Sequence, residues 1–278
     1  MGRQRKAARV ALVVLGTILA ASVVALAFLL GIQGVALNID LWQEQWERLG
    51  IDDETNMTRD DLLRAARALV SYFQGEIESP QITVVIDGRE RPLYGWREIL
   101  HLADVRELYC KGIFLRNKLY VIAPSLAGLA FALWWMTDSG RQLRPSSGRG
   151  RSPVNGREKA ATVLDSLRDF VRFYLARVAL LAGVAVLVLA LLLAVPAVLD
   201  FSDWWTAFHR LSFSNDLWLL DPSKEWLVKM FPLEFFFAVT AVLWRRLVLG
   251  GLLLTLAGGL GARILMPANK PLRRPPRS

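Results

Sequence analysis

Four apolar stretches, Val10 to Ile32, Leu119 to Met136, Phe173 to Leu199 and Leu247 to Leu265, interrupt an otherwise charged chain of 278 residues. At 1.5 Å per residue each makes a helix of about 27 Å or more, long enough for a hydrocarbon core of roughly 30 Å. In that medium the backbone must satisfy its own hydrogen bonds, so each stretch is expected to be helical. Apolar residues are 54% of the chain and charged residues 21%, and a soluble protein does not sort the two into separate blocks. The expected fold class is an all-α polytopic membrane protein: four transmembrane helices with a mainly helical extracytoplasmic subdomain.

Basic residues set the expected orientation. Arg3, Arg5, Lys6 and Arg9 precede the first stretch as in a secretory signal, but its 23 apolar residues exceed the usual signal core of about 7 to 15. An uncleaved first span is expected. Residues 139–172 carry eight basic and three acidic residues, and the last sixteen residues carry five basic and none acidic. Residues 34–117 carry ten basic and fifteen acidic, and 199–231 three and five. The expected division is therefore a cytoplasmic basic tail (1–9), first span (10–32), extracytoplasmic segment (33–118), second span (119–136), cytoplasmic basic linker (137–172), third span (173–199), extracytoplasmic loop (200–246), fourth span (247–265) and cytoplasmic tail (266–278). Arg245 and Arg246 at the centre of a span would cost about 2.5 to 3.5 kcal/mol each on insertion scales. This places the fourth span after them, makes residues 233–243 an interfacial or re-entrant helix, and gives the arginine pair contact with lipid. The net charge of +9 then reads as topology and attraction to anionic lipid, with no nucleic-acid partner.

Local patterns fill in the outer segments. Thr58 with Asp61 looks like a helix cap, and Leu62, Leu63, Ala66, Leu69, Val70 and Phe73 recur at helical spacing, so a helix is expected over about 59–74. Thr58 also closes the sequon Asn56-Met57-Thr58, for which the cap is the better explanation. Gln81 to Ile86, the Asp87-Gly88 turn and Arg89 to Tyr94 read as a hairpin. A second helix is expected over about 95–109, a helix capped by Asp200 or Ser202 to about Arg210, a turn at Ser214-Asn215-Asp216, and a helix from Asp221-Pro222 to about Met230. Seven of ten tryptophans fall in these segments, which suggests elements resting at headgroup level. Residues 140–156, rich in Gly, Pro, Ser and Arg, are expected to be a disordered linker.

The chain has two histidines, His101 and His209, both on the expected outer side. Imidazole titrates near neutral pH, so two of them at one lipid surface can supply a base and an acid, although a solvated surface histidine is an equally ordinary reading of either. Arg97, His101 and Asp104 fall within an arc of about 60° on the second helix, opposite Trp96, Ile99, Leu100 and Ala103. Asp104 is placed to orient the His101 ring. One cysteine, Cys110, excludes an intramolecular disulfide and a cysteine-based metal cluster. There is no G-x-S-x-G elbow, H-E-x-x-H, phosphate-binding loop or dinucleotide fingerprint. Acid–base chemistry on a lipid fits what remains.

The stretches LYGWREILHLADVREL (93–108) and FHRLSFSNDLWLLDPSKEWLVKMFPLEFFF (208–237), with four spans and both histidines outside, resemble the lipoprotein intramolecular transacylases (Lit) of the bacterial cytoplasmic membrane. The resemblance implies a substrate lipoprotein whose amino-terminal cysteine carries an S-diacylglyceryl group, no cofactor and no bound metal. It implies movement of the sn-2 acyl chain to the cysteine α-amine, giving a lyso-form lipoprotein, with His101 supported by Asp104 as base and His209 as acid, or the reverse. Arg97, Arg210 and Asn215 are candidates to stabilise an oxyanion, with Asp216 in the same supporting group. Two readings from other classes stand beside this one: a metal-dependent lipid hydrolase using His101, Asp104 and His209 as ligands, and a non-enzymatic membrane scaffold.

Overall fold

The computed structural model describes residues 2–86, 88–142 and 156–264. Ten α-helices and one hairpin account for nearly all of them: α1 Gly2–Ala36, α2 Ile39–Leu49, α3 Ile51–Thr55, α4 Arg59–Gln74, β1 Thr83–Ile86, β2 Arg89–Pro92, α5 Trp96–Gln142, α6 Gly156–Phe170, α7 Ala176–Leu199, α8 Phe201–Ser212, α9 Trp226–Met230 and α10 Leu233–Ile264. A π turn, Val171–Leu175, joins α6 to α7. Four helical stretches are long and apolar enough to cross a membrane: Lys6–Ala36, Trp96–Thr137, Val163–Leu199 and Leu233–Gly261. The protein is a multi-pass membrane protein of the all-α class.

The spans differ from expectation mainly in lacking breaks. The outer helix expected over 95–109 and the second span are one helix, α5, of 47 residues, about 70 Å long. Nothing between Tyr109 and Leu119 stops it, since Gly112 lies inside the helix. Its segment 96–118 carries eight Lys, Arg, Asp and Glu residues, which are costly in hydrocarbon, and its apolar run follows them. Likewise, residues 233–243 are not a separate interfacial or re-entrant element but the start of α10, whose sequence offers no Pro or Gly between Leu243 and Leu247. Arg246 Nη1 donates to the Gly34 carbonyl at 2.6 Å, near the end of α1, where helical carbonyls lack partners of their own. That bond meets part of the cost expected for an arginine at this level. The expected basic tail is already helical from Gly2, and the expected linker is helical from Gly156. Residues 143–155, Asp87 of the expected turn and the tail 265–278 lie outside the described residues.

Contacts divide the chain into two units. In the first, built on residues 1–24, 120–186 and 250–278, small residues let helices meet. A Cβ on Gly258 would lie 2.5 Å from the Leu180 nitrogen and 2.6 Å from the Ala176 carbonyl oxygen, and Gly183 is as tightly placed against Thr255. Without a hydrophobic drive between helices in lipid, such close approach is what holds them. Phe170 stacks on Tyr174 at 5.0 Å, and the Tyr174 hydroxyl donates to the Leu12 carbonyl at 2.9 Å.

The second unit, residues 25–119 and 187–249, contains α2 to α4, the hairpin, α8 and α9. Asn38 caps α2 and Thr58 caps α4, the Asp61 N–H donating to Thr58 Oγ1 at 3.1 Å, as the sequence suggested. Gly50 and Gly75 end α2 and α4 in the left-handed region, φ 63° and 83°, which glycine enters without steric cost. The β1–β2 hairpin is antiparallel with Thr83 opposite Pro92. Trp42, Trp46, Ile51, Leu62, Leu69, Leu93, Leu102, Met230 and Phe231 form one buried core, and Trp46 Nε1 donates to the Met230 carbonyl at 2.7 Å. Asp200 caps α8 as expected. Asp221 does not start a helix: its side chain accepts from the Ser223 N–H in a local turn, and α9 begins only at Trp226.

Candidate functional site

Three pieces of the second unit meet around the histidines: the start of α5, the end of α8 and the loop 213–220. On α5 the inward face is not the one expected. Trp96 is 70% exposed and Leu100 also faces outward, whereas Glu98, His101 and Leu102 are buried. The apolar residues at 96 and 100 do not mark the buried face, because single exposed apolar side chains are common on protein surfaces and the polar Glu98 and His101 are the enclosed ones. His101 therefore lies inside, at 8% exposure, and not on a solvated stripe; His209 on α8 is buried to the same degree, at 7%.

The two rings face each other with centroids 6.0 Å apart and planes 33° apart. Aromatic side chains surround them. Phe213 lies 5.3 Å from His101 and 5.7 Å from His209. Trp205 meets His209 edge-on at 4.6 Å, Trp218 lies 5.0 Å from it at 30°, and Phe208 is 5.4 Å away. Sequence reasoning missed this box. Its signal was the Trp205 to His209 spacing of one helical turn together with tryptophans on both sides of the turn at 214–216.

Hydrogen bonding distinguishes the rings. His209 Nδ1 is 2.8 Å from the Trp205 carbonyl oxygen, so the neutral ring carries its proton on Nδ1, donates there and keeps a lone pair on Nε2. His101 Nδ1 is buried without a hydrogen-bond partner. Burial, the neighbouring His209 and a smaller opposing attraction from Asp104 leave His101 pushed down to about 4. Burial also holds His209 below the ordinary histidine value, against the Trp205 carbonyl, which favours the charged ring. Both rings are neutral at pH 7.

The supporting residues named from sequence divide. Asp104 does not orient the His101 ring by a hydrogen bond: its carboxylate accepts from Asn215 Nδ2 at 2.9 Å. Arg97 Nη2 donates to the carbonyls of Asp216 and Leu219 at 3.0 and 3.1 Å. Arg97, Asp104, Asn215 and the Asp216 backbone thus pin the loop 213–220, which carries Trp218, to α5. Arg210 and the Asp216 side chain are exposed outside this contact. Arg245 is exposed, and Arg246 binds α1 instead of the histidine site. Cys110 is exposed, about two and a half turns along α5 from His101. Among the described residues no three His, Cys, Asp or Glu side chains are grouped closely enough to hold a metal ion.

Glu98 was not singled out from sequence. It is 2% exposed, and its carboxylate accepts from the N–H of Gly95 and of Leu227, both at 2.6 Å. It therefore caps α5 from the third helical position and ties α9 to it. The Gly-x-x-Glu spacing was the available signal. Burial raises the Glu98 carboxyl above the usual carboxylate range, with the backbone N–H bonds pulling it back and Glu225 adding a smaller upward push.

The fold has solved counterparts. The membrane integral lipoprotein intramolecular transacylase Lit from Bacillus cereus superposes with TM-score 0.64 at 18% identity, over 90% of this chain and 95% of that one. A histidine-to-arginine variant of that protein gives TM-score 0.65 at 17% identity, over 95% and 98% of the two chains. A histidine-to-alanine variant gives 0.61 at 17% identity, over 92% and 94%. Comparison with curated protein sequences finds no match. The family described as lipoprotein intramolecular transacylase Lit matches residues 17–236, a range that takes in both histidines and the whole aromatic box. With most of its length inside that match, the chain belongs to the Lit family.

Proposed function

We propose that this protein transfers the sn-2 acyl chain of an S-diacylglyceryl lipoprotein to the α-amine of the same molecule's amino-terminal cysteine, leaving a lyso-form lipoprotein. The observation that carries the reading is the neutral, buried His101–His209 pair, 6.0 Å between ring centres, inside a family whose name states an intramolecular acyl transfer. An N–C bond forms at the ester carbonyl, the C–O bond to glycerol breaks, and one proton passes from the amine to the glycerol oxygen. Amine and ester belong to one molecule, so holding them in register replaces a protein nucleophile.

We assign His209 as base, the reverse of the order favoured by sequence. Its Nε2 lone pair is free to accept the amine proton, and the resulting imidazolium is stabilised by the Trp205 carbonyl and by the rings of Trp205 and Trp218. His101 then takes that proton from the His209 imidazolium and passes it to the departing glycerol oxygen, so both rings end neutral. Arg97, Asp104 and Asn215 act one step away by holding the loop over the pair. Substrate reaches the site from the membrane surface, with the histidines on the extracytoplasmic side and both chain ends cytoplasmic, a placement supported by the Lys and Arg distribution.

The pH dependence tests this assignment. A base with a lowered value stays unprotonated into mildly acidic solution, so kcat/KM for a synthetic diacylated lipopeptide should show, below the fall set by the substrate amine at about 7.7 to 8, a second acid limb that lies under the ordinary histidine value of 6.5. A second limb at or above 6.5 would contradict it. Stability should follow in the same window. Because the folded histidines bind protons more weakly than unfolded ones, the unfolded state holds more protons between about 4 and 6.5, so stability rises with pH there and is lost on acidification.

A further inference from the structure

A concavity lies apart from the histidines, where the end of α2 meets the starts of α8 and α10. It is an open groove of about 500 Å³ lined by Leu49, Phe201, Leu233 and Phe237, with Arg48 and Glu234 as its only charged lining residues. None of these residues packs on either histidine ring. Phe201 approaches His209 only through Trp205, at 5.9 Å from that ring, which in turn meets His209 at 4.6 Å.

Two features fix its chemical character. The first is depth. Phe201 follows the last residue of α7 by one residue and Leu233 opens α10, so the groove lies at the ends of two stretches that are long and apolar enough to cross a membrane. The end of α7 is strongly apolar and open there, with Leu199 81% exposed. The second is charge. Neither Arg48 nor Glu234 has an ion-pair partner among the described residues, while the adjacent Glu47 is already paired with Arg59. Helix dipoles favour Arg48 at the end of α2 and Glu234 at the start of α10, but they leave both charges facing the groove without counterions.

We propose that this groove is a binding site for a zwitterionic phospholipid, phosphatidylethanolamine, with its phosphate at Arg48, its ammonium at Glu234 and its glycerol and acyl region on Leu49, Phe201, Leu233 and Phe237. A phosphatidylglycerol offers the phosphate but no ammonium, and a diacylated lipopeptide offers an ammonium but no phosphate. Only the zwitterion answers both charges. A lipid held there packs against Phe201 and so against the outer support of Trp205, although the site stands independently of the acyl-transfer reading.

The test uses the full-length protein, stripped of lipid in detergent and offered equal amounts of phosphatidylethanolamine, phosphatidylglycerol and diacylglycerol, with the retained lipid read by native mass spectrometry. Phosphatidylethanolamine should be retained over each of the others by about tenfold, the worth of one charge-assisted hydrogen bond. Glu234→Gln should abolish its preference over phosphatidylglycerol, and Arg48→Gln should reduce retention of both. His209→Ala should retain phosphatidylethanolamine as the wild type does, which separates this site from the catalytic reading. Equal retention of the three lipids, wild-type selectivity in both groove variants, or displacement of phosphatidylethanolamine by an equal concentration of diacylated lipopeptide would overturn the proposal.

Discussion

Replacing His209 or His101 with alanine should lower the rate of acyl migration by about 10²- to 10⁴-fold, the usual worth of a positioned acid or base. The two single losses should not add, because the histidines serve one proton transfer. Each ring is buried among Phe213 and its aromatic neighbours, so a cavity could lower activity indirectly. The glutamine variants, which fill more of that space, should be equally inactive while unfolding at near wild-type temperature. Cys110→Ser should be fully active. Asp104→Asn should lose less than His101→Ala, since Asp104 serves through Asn215 and the loop and carries no proton itself. Wild-type turnover by the double alanine variant, measured on a synthetic diacylated lipopeptide, would remove the histidines from the mechanism.

Glu98→Ala should be the most damaging single change outside the histidine pair, through stability and not chemistry. It leaves the Gly95 and Leu227 N–H groups, whose bonds to it are half-buried, without their acceptor, at up to about 1 to 3 kcal/mol for each. The unfolding temperature in detergent should fall by about 5 °C or more, given some 2 to 4 °C per kcal/mol for a chain of this size. Glu98→Gln keeps one carbonyl oxygen and should lose about half as much. Since Glu98 joins α5 to α9, its loss should also raise KM before it lowers kcat. An unchanged unfolding temperature in Glu98→Ala would mean that the two N–H groups find other partners.

Much of this architecture is legible in the amino-acid sequence because lipid imposes simple rules. Twenty-residue apolar blocks, the Thr58 cap and the Asp200 cap each follow from one local requirement, and each appears where the residues call for it. Helix continuity was less accessible. Residues change from charged to apolar at 118–119, but helix geometry is indifferent to that change, so α5 runs through it. The arginines of α10 looked like a stop for the same reason, and the bond from Arg246 to Gly34 depends on a neighbour more than two hundred residues away. At the site, residue type pointed to the histidines, but the facing of α5 did not follow from periodicity. With Trp96 and Leu100 outward and Glu98 inward, the helix reverses the usual rule, because Glu98 is held inside by the N–H groups of Gly95 and Leu227. Glu98, Trp218 and Phe213 matter through long-range packing that no short window contains.

The central claim is that acyl transfer occurs within one substrate molecule, driven by two histidines. Purified protein should be given an equal mixture of two diacylated lipopeptides, one with deuterated acyl chains on an unlabelled peptide and one with unlabelled chains on an isotopically heavy peptide, and the products fragmented by mass spectrometry. Intramolecular transfer gives products of unchanged total mass, each with one of its own acyl chains now on the cysteine nitrogen, formed about 10²- to 10⁴-fold more slowly with His101→Ala. Crossed masses, release of free fatty acid or an acyl group found on the protein would contradict it.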